Sequence, residues 1–215
     1  MKLAPDAAIH LLHEASHAVL ATHSTQLAGY PYATAVPLVV DGRHQPVLLI
    51  SALAEHTKNL LADPRASLSV VADGQSTIEN AARMTLLGTF ERLDASPETA
   101  ARYLRYQAQA EQYLELDFVF FRLNIERVRF IAGIGKMGWL EASDWREVKG
   151  LADQDETALL EFSRSQLASS VQLIGIDAYG LDYLVDGIRI RQRFEKALGA
   201  DELTGEISQL VRRLT

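Results

Sequence analysis

Histidine, threonine, lysine and asparagine stand side by side at His56-Thr57-Lys58-Asn59, inside the run LLISALAEHTKNLLADPRASLSVV (48–71). The flanks of that run read as buried strands, which a simple turn would join. A titratable, hydrogen-bonding cluster at the mouth of a short helix offers more, because capping a helix takes only one such residue. His10, His13 and His17 follow one another at i, i+3 and i+7, the spacing of one helix face, where three imidazoles can together hold a metal or haem. No carboxylate pattern accompanies them. They read as a polar, solvent-facing stripe with Leu11, Ala15 and Ala18 packed inward, and no metal site is expected. The chain has no cysteine and no histidine after His56, so any metal or haem iron must be held by His, carboxylate, Met or Tyr. Gly133, Gly135 and Gly138 follow a strand instead of opening a helix in a βαβ unit. They read as a close backbone turn beside Trp139 and not as a dinucleotide loop. Asp63 and Arg65, either side of Pro64, read as a charge pair fixing a turn.

The balance of charge narrows the partners. A net charge of −7 sets the overall field against sequence-independent binding to nucleic acid or to an anionic membrane. The basic stretch RIRQRFEK reads as strand-edge charge, and Arg212-Arg213 as a dipole-compatible helix end. No run of 18 apolar residues is present, and Asp6 and Glu14 interrupt the first segment where a signal peptide needs an apolar stretch. A cytoplasmic protein with a small, locally bound partner is the expectation.

The elements that must position the cluster come next. Residues 5–22 repeat small and apolar residues at helical spacing. ATAVPLVV, the turn DGRHQP and VLLIS read as a hairpin. A short helix then stops before Pro64. The strands ASLSVVA and ARMTLLGTFERL follow, then a helix from Ser96-Pro97 to about Gln112 with Ser96 as N-cap, and two strands in DFVFFRLNIERVRFIAG. The order β-β-α-β-β-α-β-β, without βαβ spacing, predicts an α+β protein built on an antiparallel barrel with appended helices. After Trp145 the composition turns polar. A helix ETALLEFSRSQLA, the strands VQLIGIDAYG and LDYLVDGIRIRQRF, and a last helix ADELTGEISQLVRRL form a second, small α+β unit. The expected division is 1–145 and 146–215.

GYPYATAVPLVV, PVLLISALAEHTKNLLADPRASLSVV, MTLLGTFERL and FRLNIERVRFIAGIGKMGWL together resemble the haem-utilisation (HugZ-type) branch of the pyridoxamine 5'-phosphate oxidase-like, FMN-binding split-barrel family. The resemblance covers about residues 8–140, and IGIDAYGLDYLVDGIRIRQRFEKAL resembles the small domain that often follows this barrel. It implies an antiparallel split β-barrel (FMN-binding type) that works as a homodimer and holds FMN or haem at the dimer interface, with an oxidoreductase role of the haem-utilisation type. It further implies that Thr34, Ser51, His56, Thr57 and Asn59 line the anionic end of the ligand. Arg83 and Lys136 approach from elsewhere, Arg83 from the second subunit. Thr34 stands where such relatives carry an arginine, and His56 where they carry a lysine; both departures remove fixed positive charge. The C-terminal unit also lacks the histidines with which haem-binding relatives usually open its first helix. Those departures suit two other readings, a non-catalytic flavin- or haem-binding sensor or storage protein, and an interaction dimer with a vestigial pocket. No residue is assigned as acid or base.

Overall fold

The computed structural model describes residues 4–74, 77–133, 135–164, 166–167 and 171–214. The helix α1 (Asp6–Glu14) leads into β1 (His17–His23), β2 (Pro31–Pro37), β3 (Val39–Val40) and β4 (Pro46–Ser51). Next come α2 (Glu55–Ala62), β5 (Arg65–Val71), β6 (Arg83–Leu93), α3 (Pro97–Tyr106) and a 3-10 turn at Ala108–Tyr113. β7 (Phe118–Gly133), β8 (Lys136–Glu141) and α4 (Ala142–Arg146) close the first part of the chain. The rest is α5 (Asp153–Arg164), β9 (Val171–Asp177), β10 (Gly180–Val185), β11 (Ile188–Arg193) and α6 (Ala200–Leu214).

The first eight strands form one antiparallel sheet in the order β2-β1-β5-β6-β7-β4-β3, with β8 added to β7. Period-two burial decides its inner face. Leu20, Leu68, Leu86 and Val128 pair in register across β1, β5, β6 and β7, and all four are fully buried. Each such side chain contributes about 1.5–3 kcal/mol by leaving water. The sheet curls until β2 and β4, which are not neighbours in it, approach one another. This is the α+β antiparallel split barrel that the sequence predicts.

Four local expectations are corrected. The first helix ends at Glu14, and Ala15 is already extended (ψ 135°). HAVLATH turns Ala18, Leu20 and Thr22 inward at strand period, so small residues that also fit a helix became β1, and His17 sits on an exposed strand position. The predicted hairpin is broken at Pro37: β2 pairs with β1, and only Val39–Val40 pair back onto β4. The two strands expected in 117–133 are one strand with a bulge, where Leu87 and Gly88 face Arg127 and Ile125 and leave Glu126 over. Gly88 permits this, since a Cβ there would lie 2.1 Å from the Asn124 carbonyl oxygen. Last, LDYLVDGIRIRQRF is two strands. Asp186 (φ 50°) and Gly187 (φ 80°) make the tight turn between them that an Asp-Gly pair signals.

Behind β9–β10–β11 lies a second core, with Leu160, Leu173, Ile176, Leu181, Leu203 and Ile207 at its centre. Residues 165 and 168 of the predicted helix through Ala168 lie outside the described residues, and α5 is described to Arg164. Ala178 and Tyr179, at the β9–β10 turn, belong instead to the barrel core, so the two parts meet along a seam.

Candidate functional site

Where β2 and β4 approach, the barrel opens into a cleft of about 410 Å³, within the range of roughly 300–1,000 Å³ usual for small-molecule sites. Ala35 and Pro37 of β2 form one wall and Leu49, Ile50 and Ser51 of β4 another. The back is aromatic: Tyr103 from α3, with Tyr113 and Phe118 stacked at 4.5 Å and 10° between planes. His56, in the first turn of α2, lines the mouth beside Ser51. Among the described residues, no lysine, arginine or acidic side chain lines this cleft.

Of the predicted site residues, Ser51 and His56 are the two that reach the cleft. The Ser51 hydroxyl donates to the Asp117 carboxylate (3.0 Å) and accepts from the Leu53 N–H (3.2 Å), so it is already bonded and has a negative charge beside it. His56 Nε2 is shielded from solvent and has no hydrogen-bond partner, and burial pushes the imidazole below its ordinary value. Thr57 and Asn59 are fully buried and bonded within the chain. Thr57 donates to the Ser51 carbonyl (2.6 Å), tying α2 to the end of β4. Asn59 donates to Thr22 Oγ1 (3.0 Å) and accepts from the Thr25 N–H and hydroxyl (both 2.9 Å), fixing α2 against the loop after β1. Thr34 pairs with Leu20 on the inner face of β2, one residue from the cleft wall.

Arg83 and Lys136 lie elsewhere. Register places Ser51 opposite Phe118, Arg83 opposite Ile131 and Lys136 opposite Gly133. From 118 to 131 is 13 residues of β7, roughly 40 Å of strand. Arg83 donates to the Ile78 and Ala81 carbonyls (2.9 and 3.3 Å), and Lys136 is exposed. Neither meets the cleft of its own chain.

The seam is the opposite kind of place, and sequence reading missed it. Arg102 of α3 donates to the Val40 carbonyl (2.7 Å) and pairs with Glu156, which also takes Arg105 (2.9 Å) and the Ile176 N–H (3.2 Å). The predicted strand-edge arginines are corrected here. β11 is an edge strand, but the Arg191 side chain is buried against Asp177 (2.8 Å) and Asp182, and Arg189 bonds Asp182 and the His13 carbonyl. The predicted solvent-facing histidine stripe fails as well. His13 is buried, its Nε2 2.8 Å from His44 Nδ1 and its Nδ1 3.3 Å from Asp177 Oδ2. Burial holds both imidazoles below their ordinary value, His13 well below. Burial would raise Asp177, but His13 and Arg191 outweigh it and hold that carboxyl below the usual carboxylate range. The expected Asp63–Arg65 pair is present, with Arg65 Nη2 2.6 Å from Asp63 Oδ2.

Set beside known proteins, residues 4–132 match the family model for pyridoxamine 5'-phosphate oxidase. The chain belongs to the pyridoxamine 5'-phosphate oxidase family. It is similar to the chloroplastic non-canonical heme oxygenase HOZ of Arabidopsis thaliana, 33% identical over 118 residues. That match takes in 54% of this chain and 36% of the relative, so the chain spans about a third of that protein's length. A heme-binding protein from Mycobacterium smegmatis is similar over the whole of this chain and 98% of its own, with a TM-score of 0.64 and 26% identity. Atu2129 of Agrobacterium tumefaciens, a protein of unknown function, shares the fold across 96% of both chains, with a TM-score of 0.75 and 22% identity. Among the described residues, no helix is long and apolar enough to cross a membrane.

Proposed function

We propose that this oxidase-family chain binds haem in the cleft between β2 and β4, with FMN as the alternative occupant. The observation that carries this reading is the character of the wall. It is mostly apolar and aromatic and holds an unpartnered histidine nitrogen, while among the described residues of the same chain no guanidinium or ammonium lines it to take a phosphate. Phosphate is held most firmly by charge-assisted contacts, and here the nearest hydroxyl, Ser51, is bound to a carboxylate. A macrocycle that buries a large apolar ring and leaves its carboxylates toward water suits the wall better. The similarity to a heme-binding protein over the full chain supports the same choice. Bound haem would supply redox chemistry, of the oxidoreductase kind if the haem-utilisation likeness extends to activity. In this chain Tyr103, Tyr113 and Phe118 orient the ring, His56 offers a neutral imidazole, and Thr57 and Asn59 hold α2 in place behind it.

The site lies where two copies meet. Val19, Val71, Leu87, Met137 and Trp139 leave apolar surface exposed on β1, β5, β6 and β8, and a homodimer would cover it. In that arrangement Arg83 and Lys136 of the second copy are the cations that approach the cleft. The test is titration of the apo protein with haemin and, separately, with FMN, followed by absorbance, for wild type and His56→Ala. Haem binding at least tenfold tighter than FMN is expected, with a mass in light scattering near twice 23.8 kDa. His56→Ala is expected to weaken haem binding about tenfold, the order of one hydrogen bond or ligand contact. A protein that stays colourless with both ligands would end this reading.

A further inference from the structure

We propose that the chain carries a second ligand site, a basic pocket between the β3–β4 turn, β7 and the segment 145–152, which takes a small organic oxyanion: a phosphate ester or a polycarboxylate. The pocket has a volume of about 510 Å³, larger than the cleft between β2 and β4, and shares no lining residue with it. Arg122 and Asn124 stand in it on the face of β7 turned away from the buried Leu123 and Ile125. Three guanidiniums line the wall, Arg43 from the turn, Arg122 from β7 and Arg146 from α4, in a chain whose net charge is −7. Among the described residues, no carboxylate lines it.

The polar groups left open on this wall are donors. Arg122 is already engaged: it donates to Glu91 (2.8 Å) and stands 3.9 Å from Asp41, and the Asn124 amide also bonds Glu91. Arg43 and Arg146 are exposed, and among the described residues neither guanidinium has an ion pair or hydrogen bond. Gln45 accepts the Ile125 N–H through Oε1 (3.4 Å), which leaves its amide NH2 as a donor. Two unengaged guanidiniums and an amide NH2, with no carboxylate between them, suit an oxyanion. The planar guanidinium fork matches phosphate and carboxylate oxygens alike.

The wall that carries these donors is fixed by its own bonds. His44 Nε2 donates to the Lys149 carbonyl (2.9 Å), Trp145 Nε1 to the His44 carbonyl (3.3 Å) and the Leu151 N–H to the Gly42 carbonyl (2.8 Å), so turn and segment are laced together. The fit is close enough that a Cβ on Gly150 would lie 3.0 Å from the Gly42 carbonyl oxygen. Within the turn, Asp41 accepts from the Arg43 and Gln45 N–H groups (2.9 and 2.8 Å) and secures His44 at φ 61°, where L-residues are rare. A pocket built in advance costs a ligand little reorganisation. Its volume lies within the roughly 300–1,000 Å³ of small-molecule sites, and Trp145, Val148 and Leu151 add apolar lining, so there is room for an organic body behind the charged group.

The test is calorimetric titration of the full chain, without added haem, with AMP, with citrate and with inorganic phosphate at constant ionic strength. Three proteins are compared: wild type, Arg43→Gln/Arg146→Gln, and a control of equal charge, Arg164→Gln/Arg212→Gln, altered at exposed positions of α5 and α6. Wild type and control are expected to bind AMP or citrate saturably, with a Kd below about 1 mM, and the Arg43/Arg146 variant at least tenfold more weakly. Preference for AMP assigns a phosphate ester, and preference for citrate a polycarboxylate. Haemin titration of that variant is expected to match wild type. The proposal is overturned by no saturable binding of either compound, by equal weakening in both double variants, by inorganic phosphate binding as tightly as both, or by joint loss of haemin binding. Wild type alone gives a second readout should the double variant not fold. Of the two tryptophan indole N–H resonances, that of Trp145 is expected to shift on ligand addition and that of Trp139 to stay; the reverse would refute the site.

Discussion

The cleft is walled mostly by apolar and aromatic side chains, and the seam is built from paired charges. At the seam, Arg102, Arg105, Arg189 and Arg191 face Glu156, Asp177 and Asp182, and every one of these charges has a partner of opposite sign. Among the described residues, the cleft wall carries no ion pair, and the His56 Nε2 on it has no hydrogen-bond partner. At the seam Arg102 Nη2, Asp177 Oδ2 and Arg191 Nε and Nη2 also lack a hydrogen-bond partner, but each belongs to a group paired with an opposite charge, whereas the unbonded His56 nitrogen stands beside an open apolar space that a ligand could fill.

Substitutions should separate the two regions. Glu156→Gln leaves Arg102 and Arg105 without their carboxylate, and breaking a buried pair in this way costs about 3–5 kcal/mol. Urea unfolding of the full chain is expected to show a loss of that size, and a loss below 1 kcal/mol would mean that the seam is solvated. Gly42→Ala tests how closely the chain is drawn across the barrel on its way to α5. A Cβ there would lie 2.3 Å from the Leu151 carbonyl oxygen, and Leu151 N–H already donates to the Gly42 carbonyl (2.8 Å). The backbone must shift, at about 1–3 kcal/mol in the same assay. The smallest effect belongs to the cleft: His56→Ala is expected to stay within about 0.5 kcal/mol of wild-type stability, since no hydrogen bond of Nε2 is lost. A large loss there would recast His56 as a structural residue.

Features that depend on neighbours in sequence were legible. Ser96 caps α3, its hydroxyl accepting from the Thr99 N–H at 3.2 Å ahead of Pro97. α2 stops before Pro64, and Asp63 pairs with Arg65. The antiparallel α+β barrel followed from strand order. Ser51 and His56 line the cleft together because they share one strand–helix junction, a neighbourhood that sequence alone displays. What escaped was set by partners far along the chain. Arg189 meets the His13 carbonyl across 176 positions, and nothing in RIRQRF distinguishes an arginine facing such a partner from one facing water. His13 and His44 are separated by 31 residues and three strands, so helical spacing in 10–17 suggested a surface stripe. Tyr103 and Tyr113 were passed over because an aromatic at helical spacing looks the same whether it fills a core or backs a cleft. The bulge at Gly88 was invisible for a related reason: one surplus residue interrupts alternation and looks like the end of a strand.

α3 belongs to both regions at once. Arg102, Arg105 and Tyr106 reach into the seam, while Tyr103, between them, backs the cleft and its hydroxyl accepts from the Leu49 N–H of β4 (3.2 Å). Gly175 leaves room for Tyr106, since a Cβ there would lie 1.8 Å from its hydroxyl. The rear panel of the pocket is thus bolted from behind by residues at 156–191, although every side chain that lines the opening comes from before residue 120. For protein engineering the practical unit is the whole chain. A fragment ending after the barrel would keep the lining but lose its backing, and transplanting the lining into another member of the fold would require transplanting the back side of α3 with it.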